Sequence, residues 1–360
     1  MLTAIYFIVI ILGLLFNKSK LVRVLQYICI YIIFVFNSWS QDDIVYRRIY
    51  AGYYGASHEP GFDFLCQICY KNGIQYEVFK FFYVSVAIIL LLLAFQKVFK
   101  NSSNRAYSLI LLYPLLPFVE LLRNLMAIAI VACGIAWYFS LKNEGLKEKI
   151  IFVLIILLGA AFHYNVLFFL ILLLPNEKRP QKSTYFKIIL LSITSIVICN
   201  LPIFRRVLAL VFDSKKILSW FDSSNRIGLG IIIVLAFHII SFGIYDFIYR
   251  TYYFRMKRGL EYNNNENIIS KKVYSLNLYS FALMGLYTYN MEFFSRLYIF
   301  ILLLNCFHVS IIAKKIKSKN IYILSFIQVL YHLGMFVFFC QPFNEQGIMA
   351  FILQNNYLFP

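Results

Sequence analysis

Long apolar runs separated by short basic loops set the pattern of this chain. Runs at 2–16, 21–38, 76–96, 106–119, 121–141, 150–174, 185–201, 227–249, 273–290, 293–313 and 320–340 are the candidate helices. None alternates polar and apolar residues as a lipid-facing β-strand would, and an unpaired backbone in lipid is too costly for irregular structure. The pattern predicts an all-α polytopic membrane protein of about 11–12 transmembrane helices, one of them broken. With no internal repeat, residues 1–360 read as a single integral membrane domain, with outward loops at 39–75 and 202–226 and a cytoplasmic loop at 250–272.

Composition agrees with this. Of 360 residues, 61% are hydrophobic and 14% charged, where soluble domains carry roughly 25% charged residues. A soluble enzyme, a disordered chain and a disulfide scaffold are all excluded. A net charge of +18 would suggest nucleic acid in a soluble protein. Here Lys and Arg gather in short loops, so the retention of basic residues in cytoplasmic loops explains the charge, and no nucleic-acid partner is expected. Most cysteines lie inside apolar stretches, and Cys66 and Cys69 read as an i, i+3 helical packing pair more readily than as metal ligands. Met1–Phe16 lacks a basic n-region and an A-x-A-like cleavage site, so it is expected to be a retained first span.

Segment 150–174 decides the topology. As one helix it would place Lys178, Arg179, Lys182 and Lys187 outside. Broken around Ala161–Asn165, it returns the chain to the side it came from. The broken form keeps about two thirds of the 34 Lys and Arg inside, the unbroken form fewer than half. Non-helical backbone at membrane depth is tolerated only beside a protein cavity, so the break itself points to a site. Both termini are then expected outside the cytoplasm.

Polar residues that the membrane tolerates poorly gather on the outward side of this topology. In the 39–75 loop, Asp43, Tyr46 or Arg47, and Tyr50 share one face of a short helix. Pro60-Gly61 makes a turn that holds Glu59 at the start of the next segment. Arg123 and Asn124 sit just inside an apolar run, where an ionisable residue is expensive and usually functional; a salt bridge to Glu120 is the structural alternative. His163 stands at the expected break and has a side chain suited to proton transfer near neutral pH, or to packing, as expected of His238, His308 and His332. Arg296 opens another span, with Glu292 as its structural partner. Two cations suit a diphosphate, and a carboxylate or imidazole suits deprotonation of a hydroxyl. The chain has no P-loop, H-E-x-x-H, G-x-S-x-G or acidic D-x-D pair. A donor already activated in the membrane therefore fits better than a cytoplasmic nucleotide.

Asp43, Tyr46 and Tyr50, then Glu59-Pro60-Gly61-Phe62, then Arg123-Asn124-Leu125-Met126-Ala127 and Ala161-Phe162-His163-Tyr164-Asn165 together resemble the EpsG-like, Wzy-type polysaccharide polymerases. Those proteins typically carry an Arg-Gln-x-x-Ala run and an Ala-x-x-His-x-Ser-like run in this order, with a later arginine at the mouth of a span, as Arg296 is here. Asn124 stands in place of the usual Gln, and Asn165 where Ser or Ala is common. The resemblance implies a GT-C-like glycosyltransferase of the bacterial inner membrane. It would polymerise undecaprenyl-diphosphate-linked oligosaccharide repeats into O-antigen, capsule or exopolysaccharide on the extracytoplasmic side. No metal or nucleotide cofactor is implied. Membrane lipid, a chain-length regulator and a flippase are the implied partners. In this scheme Arg123 and Arg296 hold the leaving diphosphate, and His163, Asp43 or Glu59 takes the acceptor proton. Tyr46, Tyr50 and Tyr54 stack on sugar rings, while Arg47 and Asn124 bind substrate. A lipid-linked oligosaccharide flippase or other transporter is the rival reading, since broken helices also serve transport; a membrane O-acyltransferase is a third.

Overall fold

The structure, a computed structural model, describes residues 1–40, 42–53, 59–100, 102–141, 144–174, 183–204, 206, 229–257, 264–287, 291–316, 320–342, 344 and 347–359. No β-strand forms among them; a single antiparallel bridge pairs Asn37 with Asn356. Six helices among the described residues are long and apolar enough to cross a membrane: Tyr76–Val98, Leu122–Ser140, Ser183–Asn200, Ile232–Phe254, Tyr298–Lys315 and Ile323–Cys340. The chain is a multi-pass all-α membrane protein. Among the described residues, some of the predicted apolar runs form helices shorter than a full span. The run at 106–119 stops at Leu112 and resumes as a 3-10 turn, Leu116–Val119, where Pro114 and Pro117 cannot donate to a helix.

The chain divides into two compact units, Met1–Leu170 with Leu302–Pro360, and Ile171–Ile301. The first opens with α1 (Leu2–Leu15), α2 (Lys20–Val35), α3 (Asp43–Tyr50), α4 (Pro60–Lys71) and α5 (Tyr76–Val98). It continues with α6 (Asn104–Leu112), α7 (Leu122–Ser140) and α8 (Leu146–Ala160). The outward loop expected at 39–75 thus folds into two short helices, α3 and α4. A buried amide knot joins the α1–α2 corner to the start of α6. Asn104 donates to the carbonyls of Phe16 (2.8 Å) and Ser19 (2.7 Å), and the Gln26 amide donates to the Asn104 carbonyl (2.9 Å). Phe16 caps the C-terminus of α1, so the first of these contacts helps satisfy a carbonyl that a helix end leaves open.

Helix directions in this unit follow from side-chain contacts. Arg123 on α7 reaches the Phe62 ring, which packs on Phe79 and Tyr83 of α5, and eleven residues past Leu122 the Cys133 thiol donates to the Leu90 carbonyl at 3.6 Å. α5 and α7 therefore run parallel. α8 returns antiparallel to α7. The Tyr138 and Phe152 rings stack at 4.4 Å. A Cβ on Gly134 would meet Ile155 at 2.7 Å, and one on Gly159 would meet Val131 at 2.8 Å and the Ala127 carbonyl at 3.2 Å. The two glycines let the helices approach closely, as small residues do between membrane helices.

α8 ends at Ala160, and the chain turns through 161–163 before a 3-10 helix, Tyr164–Leu173. The break lies where the sequence placed it. His332, in the helix Asn320–Met335, donates from Nδ1 to the Tyr113 carbonyl at 2.6 Å and lies 3.2 Å from the Cys306 thiol; His308 is buried.

In the second unit, Ser183–Asn200 and Leu229–Lys257 are helical, and a further helix starts at Asn264. Both of the latter elements extend into the stretch read as a loop at 250–272. Asp246 gathers the hydroxyls of Tyr185 (2.6 Å) and Tyr274 (2.9 Å) and the Arg250 Nε (2.6 Å). His238 pairs with the Ser280 hydroxyl at 3.0 Å. Apart from 202–204 and 206, the loop at 202–226 lies outside the described residues, as do Tyr54 and the basic run Lys178, Arg179, Lys182.

Candidate active site

The antiparallel return of α8 carries the helix break to the level of the first turn of α7, and α4 docks onto that break. The Gly61 N–H donates to the Ala161 carbonyl at 2.8 Å. A Cβ at Gly61 would stand 3.1 Å from that same carbonyl oxygen, so glycine is what allows this approach. Pro60 occupies the first helical position, where its missing N–H costs nothing, and Glu59 is the N-cap residue.

This places Glu59 between two sequence-predicted residues. Its Oε2 accepts from the Arg123 Nη1, and its Oε1 lies 3.4 Å from the His163 Nδ1. Glu59 is only 2% exposed, and the Arg123 and His163 side chains are 17% and 14% exposed. The carboxylate partner identified for Arg123 is therefore Glu59, distant in sequence, instead of the nearby Glu120 considered from the sequence. The guanidinium also stands 5.5 Å from the Tyr46 ring centroid and 6.0 Å from that of Phe62, within reach of cation–π attraction. The Asn165 N–H lies 3.4 Å from the His163 Nδ1.

Buried polar atoms without hydrogen-bond partners collect here. They include the Arg123 Nε, the Tyr83 hydroxyl, and both side-chain polar atoms of Asn124 and of Asn165. The Tyr83 ring packs on Phe62 at 5.6 Å and Phe162 at 6.3 Å, the neighbours of Gly61 and His163. A site with unspent donors beside a buried cation can receive an anion at Arg123 and a neutral polar group alongside.

The other predicted residues of α3 are placed differently. Asp43 is buried in a second cluster: its Oδ1 accepts from the Tyr76 hydroxyl and the Lys80 Nζ, both at 2.9 Å, and its Oδ2 from the Arg47 Nε at 2.9 Å. Arg47 also pairs with Glu77, and Lys80 reaches the Asn37 amide oxygen at 3.4 Å. Burial by itself would lower the Arg47 pKa. Hydrogen bonding and attraction from Glu77 and Asp43 outweigh it and raise the pKa above the ordinary arginine value. A cleft of about 310 Å³ lies beside this cluster, lined by Asn37, Glu77, Lys80 and Tyr357 among apolar residues. Asp43 is thus held by three donors, which anchors α3 to α5 and presents Tyr46, one turn on, to Arg123.

Tyr46 and Tyr50 are both buried. Tyr46 packs against Arg123 and Phe62, while Tyr50 donates to the Ile74 carbonyl at 2.7 Å and packs on Tyr70, Tyr76 and Phe79. Their rings are occupied by protein, so in this structure neither is displayed for sugar stacking as the sequence suggested. The helix Met291–Lys315 carries Glu292 and Arg296, whose side chains lie outside what the structure describes.

Lys80 and Tyr83 were missed in the sequence, although a lysine within the apolar run at 76–96 is itself the signal of a committed polar contact. Tyr83 gave no signal among 28 tyrosines.

No curated protein and no solved structure matches this chain. The model of the EpsG family matches residues 20–352, a span that contains every residue of the cluster around Glu59. The chain belongs to the EpsG family.

Proposed function

We propose that this protein is a membrane polysaccharide polymerase. In this reading it transfers a growing glycan from a lipid diphosphate carrier to a sugar hydroxyl of a second lipid-linked repeat, on the extracytoplasmic side. One observation carries it: the two oxygens of a single buried carboxylate, Glu59, are shared between a guanidinium and an imidazole.

The chemistry follows from that sharing. We assign His163 the tautomer with its proton on Nδ1, facing Glu59 in place of accepting from the Asn165 N–H; its lone pair is then on Nε2, the nitrogen that accepts the proton of the attacking hydroxyl. The hydroxyl oxygen bonds to the anomeric carbon, and the bond from that carbon to the diphosphate oxygen breaks, its electron pair leaving with the diphosphate. Arg123 neutralises the charge that develops there, using N–H groups that Glu59 does not engage. Glu59 orients both groups and stabilises the imidazolium as it forms, the part a carboxylate plays in hydrolase triads. The acceptor base is accordingly assigned to His163 supported by Glu59, with Asp43 in an anchoring part. Arg296 remains a candidate second cation for the diphosphate.

The test is reconstitution of the purified chain with lipid-linked repeat units. The native protein should build a ladder of chain lengths. R123A and H163Q should leave single repeats unextended, and H163Q should do so while keeping the native unfolding temperature within a few degrees. A native protein that yields no ladder, yet moves repeats across a vesicle membrane, would establish the transporter reading in its place.

A further inference from the structure

Asn124 and Asn165 present an unusual pair of side chains. Each is buried, 1% and 3% exposed, and neither its amide nitrogen nor its amide oxygen has a hydrogen-bond partner. Buried polar groups in native proteins are nearly always bonded, and one left unbonded calls for a reason. Here four orphaned atoms fall at one level of one unit. Asn165 lies two residues after His163, at the start of the 3-10 helix that follows the turn, and its backbone N–H lies 3.4 Å from the His163 Nδ1. Asn124 follows Arg123, two helical turns before Val131, on the α7 face that meets Gly159 at the end of α8. The register therefore sets Asn124 toward the broken segment that holds Asn165.

The chemistry of the orphans selects the class of ligand. An anion would satisfy the two NH2 groups and repel the two carbonyl oxygens. A cation would satisfy the carbonyls alone. A neutral hydroxylated group donates and accepts at each oxygen and satisfies both. We infer that Asn124 and Asn165 are the sugar-recognition residues of this site, binding hydroxyl or acetamido groups of the pyranose next to the diphosphate. This rests on the polymerase reading, and divides the labour within it: Arg123 takes the charge, the two amides take the carbohydrate. A site whose buried polar groups are completed only by substrate hydroxyls discriminates strongly against ligands that lack them.

The experiment uses the full chain in detergent, the variants N124L and N165L, and two kinds of probe. One is a short-chain prenyl diphosphate; the other is the same diphosphate bearing a hexose or an N-acetylhexosamine. The native protein should bind at least one sugar-bearing probe about tenfold or more tightly than the bare diphosphate. Each variant should lose that gain, bind the bare diphosphate as before, and unfold at the same or a higher temperature, because an unbonded polar group has been replaced by an apolar one of similar size. Variants that keep the sugar-dependent gain would overturn the assignment and leave the amides as water-binding groups only. Equal weakening toward both probes would also overturn it, placing the amides in support of the fold or of the phosphate. A native protein that binds the bare diphosphate but gains nothing from any sugar defeats the amide assignment alone, whereas one that binds neither kind of probe defeats the polymerase reading as well.

Discussion

Glu59 and Arg123 form an ion pair across 64 positions of sequence, and the pair closes only because α4 docks on the break after α8. A carboxylate that is 2% exposed beside a largely buried guanidinium makes each group depend on the other for its charge. Removing one partner from such a pair costs about 3–5 kcal/mol, because the remaining charge is stranded. E59Q and R123M should each lower stability by that order. The double variant should be less destabilised than the sum of the two. Thermal or denaturant unfolding of all four proteins checks this as a double-mutant cycle, and additive losses would dissolve the pairing.

The docking itself can be tested at Gly61. An alanine there would bring its Cβ to 3.1 Å from the Ala161 carbonyl, so α4 must shift. Overpacking of this kind costs about 1–3 kcal/mol. G61A should lose polymerising activity by a larger factor than its loss of folded protein, since displacement of Glu59 by a fraction of an ångström disturbs both of its partners. Native activity in G61A would show that this approach is not needed.

At the second cluster, Asp43 holds Lys80, Arg47 and Tyr76 at 2.9 Å. D43N should destabilise the protein by about 3–5 kcal/mol by stranding Lys80. Adding K80M to it should recover much of the loss. Unfolding midpoints of the single and double variants decide the matter. A D43N protein of native stability but no activity would return Asp43 to the list of acid–base candidates.

The Cys66 thiol, on α4 beneath the site, offers a chemical reporter. Burial first, and then the nearby Asp63 charge, push its pKa up to about 12 from the ordinary thiol value. A raised thiol pKa suppresses the reactive thiolate until the pH approaches that value. In native protein at pH 8.5, a maleimide should label the half-buried Cys69 and spare Cys66, as mapped by peptide mass. Unfolding should abolish the difference. Rapid native labelling of Cys66 would mean that α4 leaves its docked position.

Particular residues show where sequence reasoning reached and where it stopped. Asp43, Tyr46 and Tyr50 do share a buried helix face, because the spacing i, i+3, i+7 fixes that geometry whatever lies around it. The break after α8 was legible from basic-loop counting and from the small residues before His163. What the face of α3 packs against was not legible. Tyr46 and Tyr50 looked available for sugars and are covered by protein, since a helix face shows its direction in sequence and not its neighbour.

The amino-acid sequence by itself determined the helical membrane class, the family, the position of the break and the short list of polar residues. Each of these depends on local periodicity or on the cost of placing charge in lipid, both of which act along the chain. Only the tertiary structure decided that Arg123 pairs with Glu59, that His163 joins the same carboxylate, and that Asp43 is taken up by Lys80 and Arg47. It also left Asn124 and Asn165 buried and unbonded. Such pairings depend on the parallel run of α5 and α7 and the antiparallel return of α8, which bring residues up to about a hundred positions apart to one level. No local signal encodes that meeting, because an ion pair is specified by distance in space.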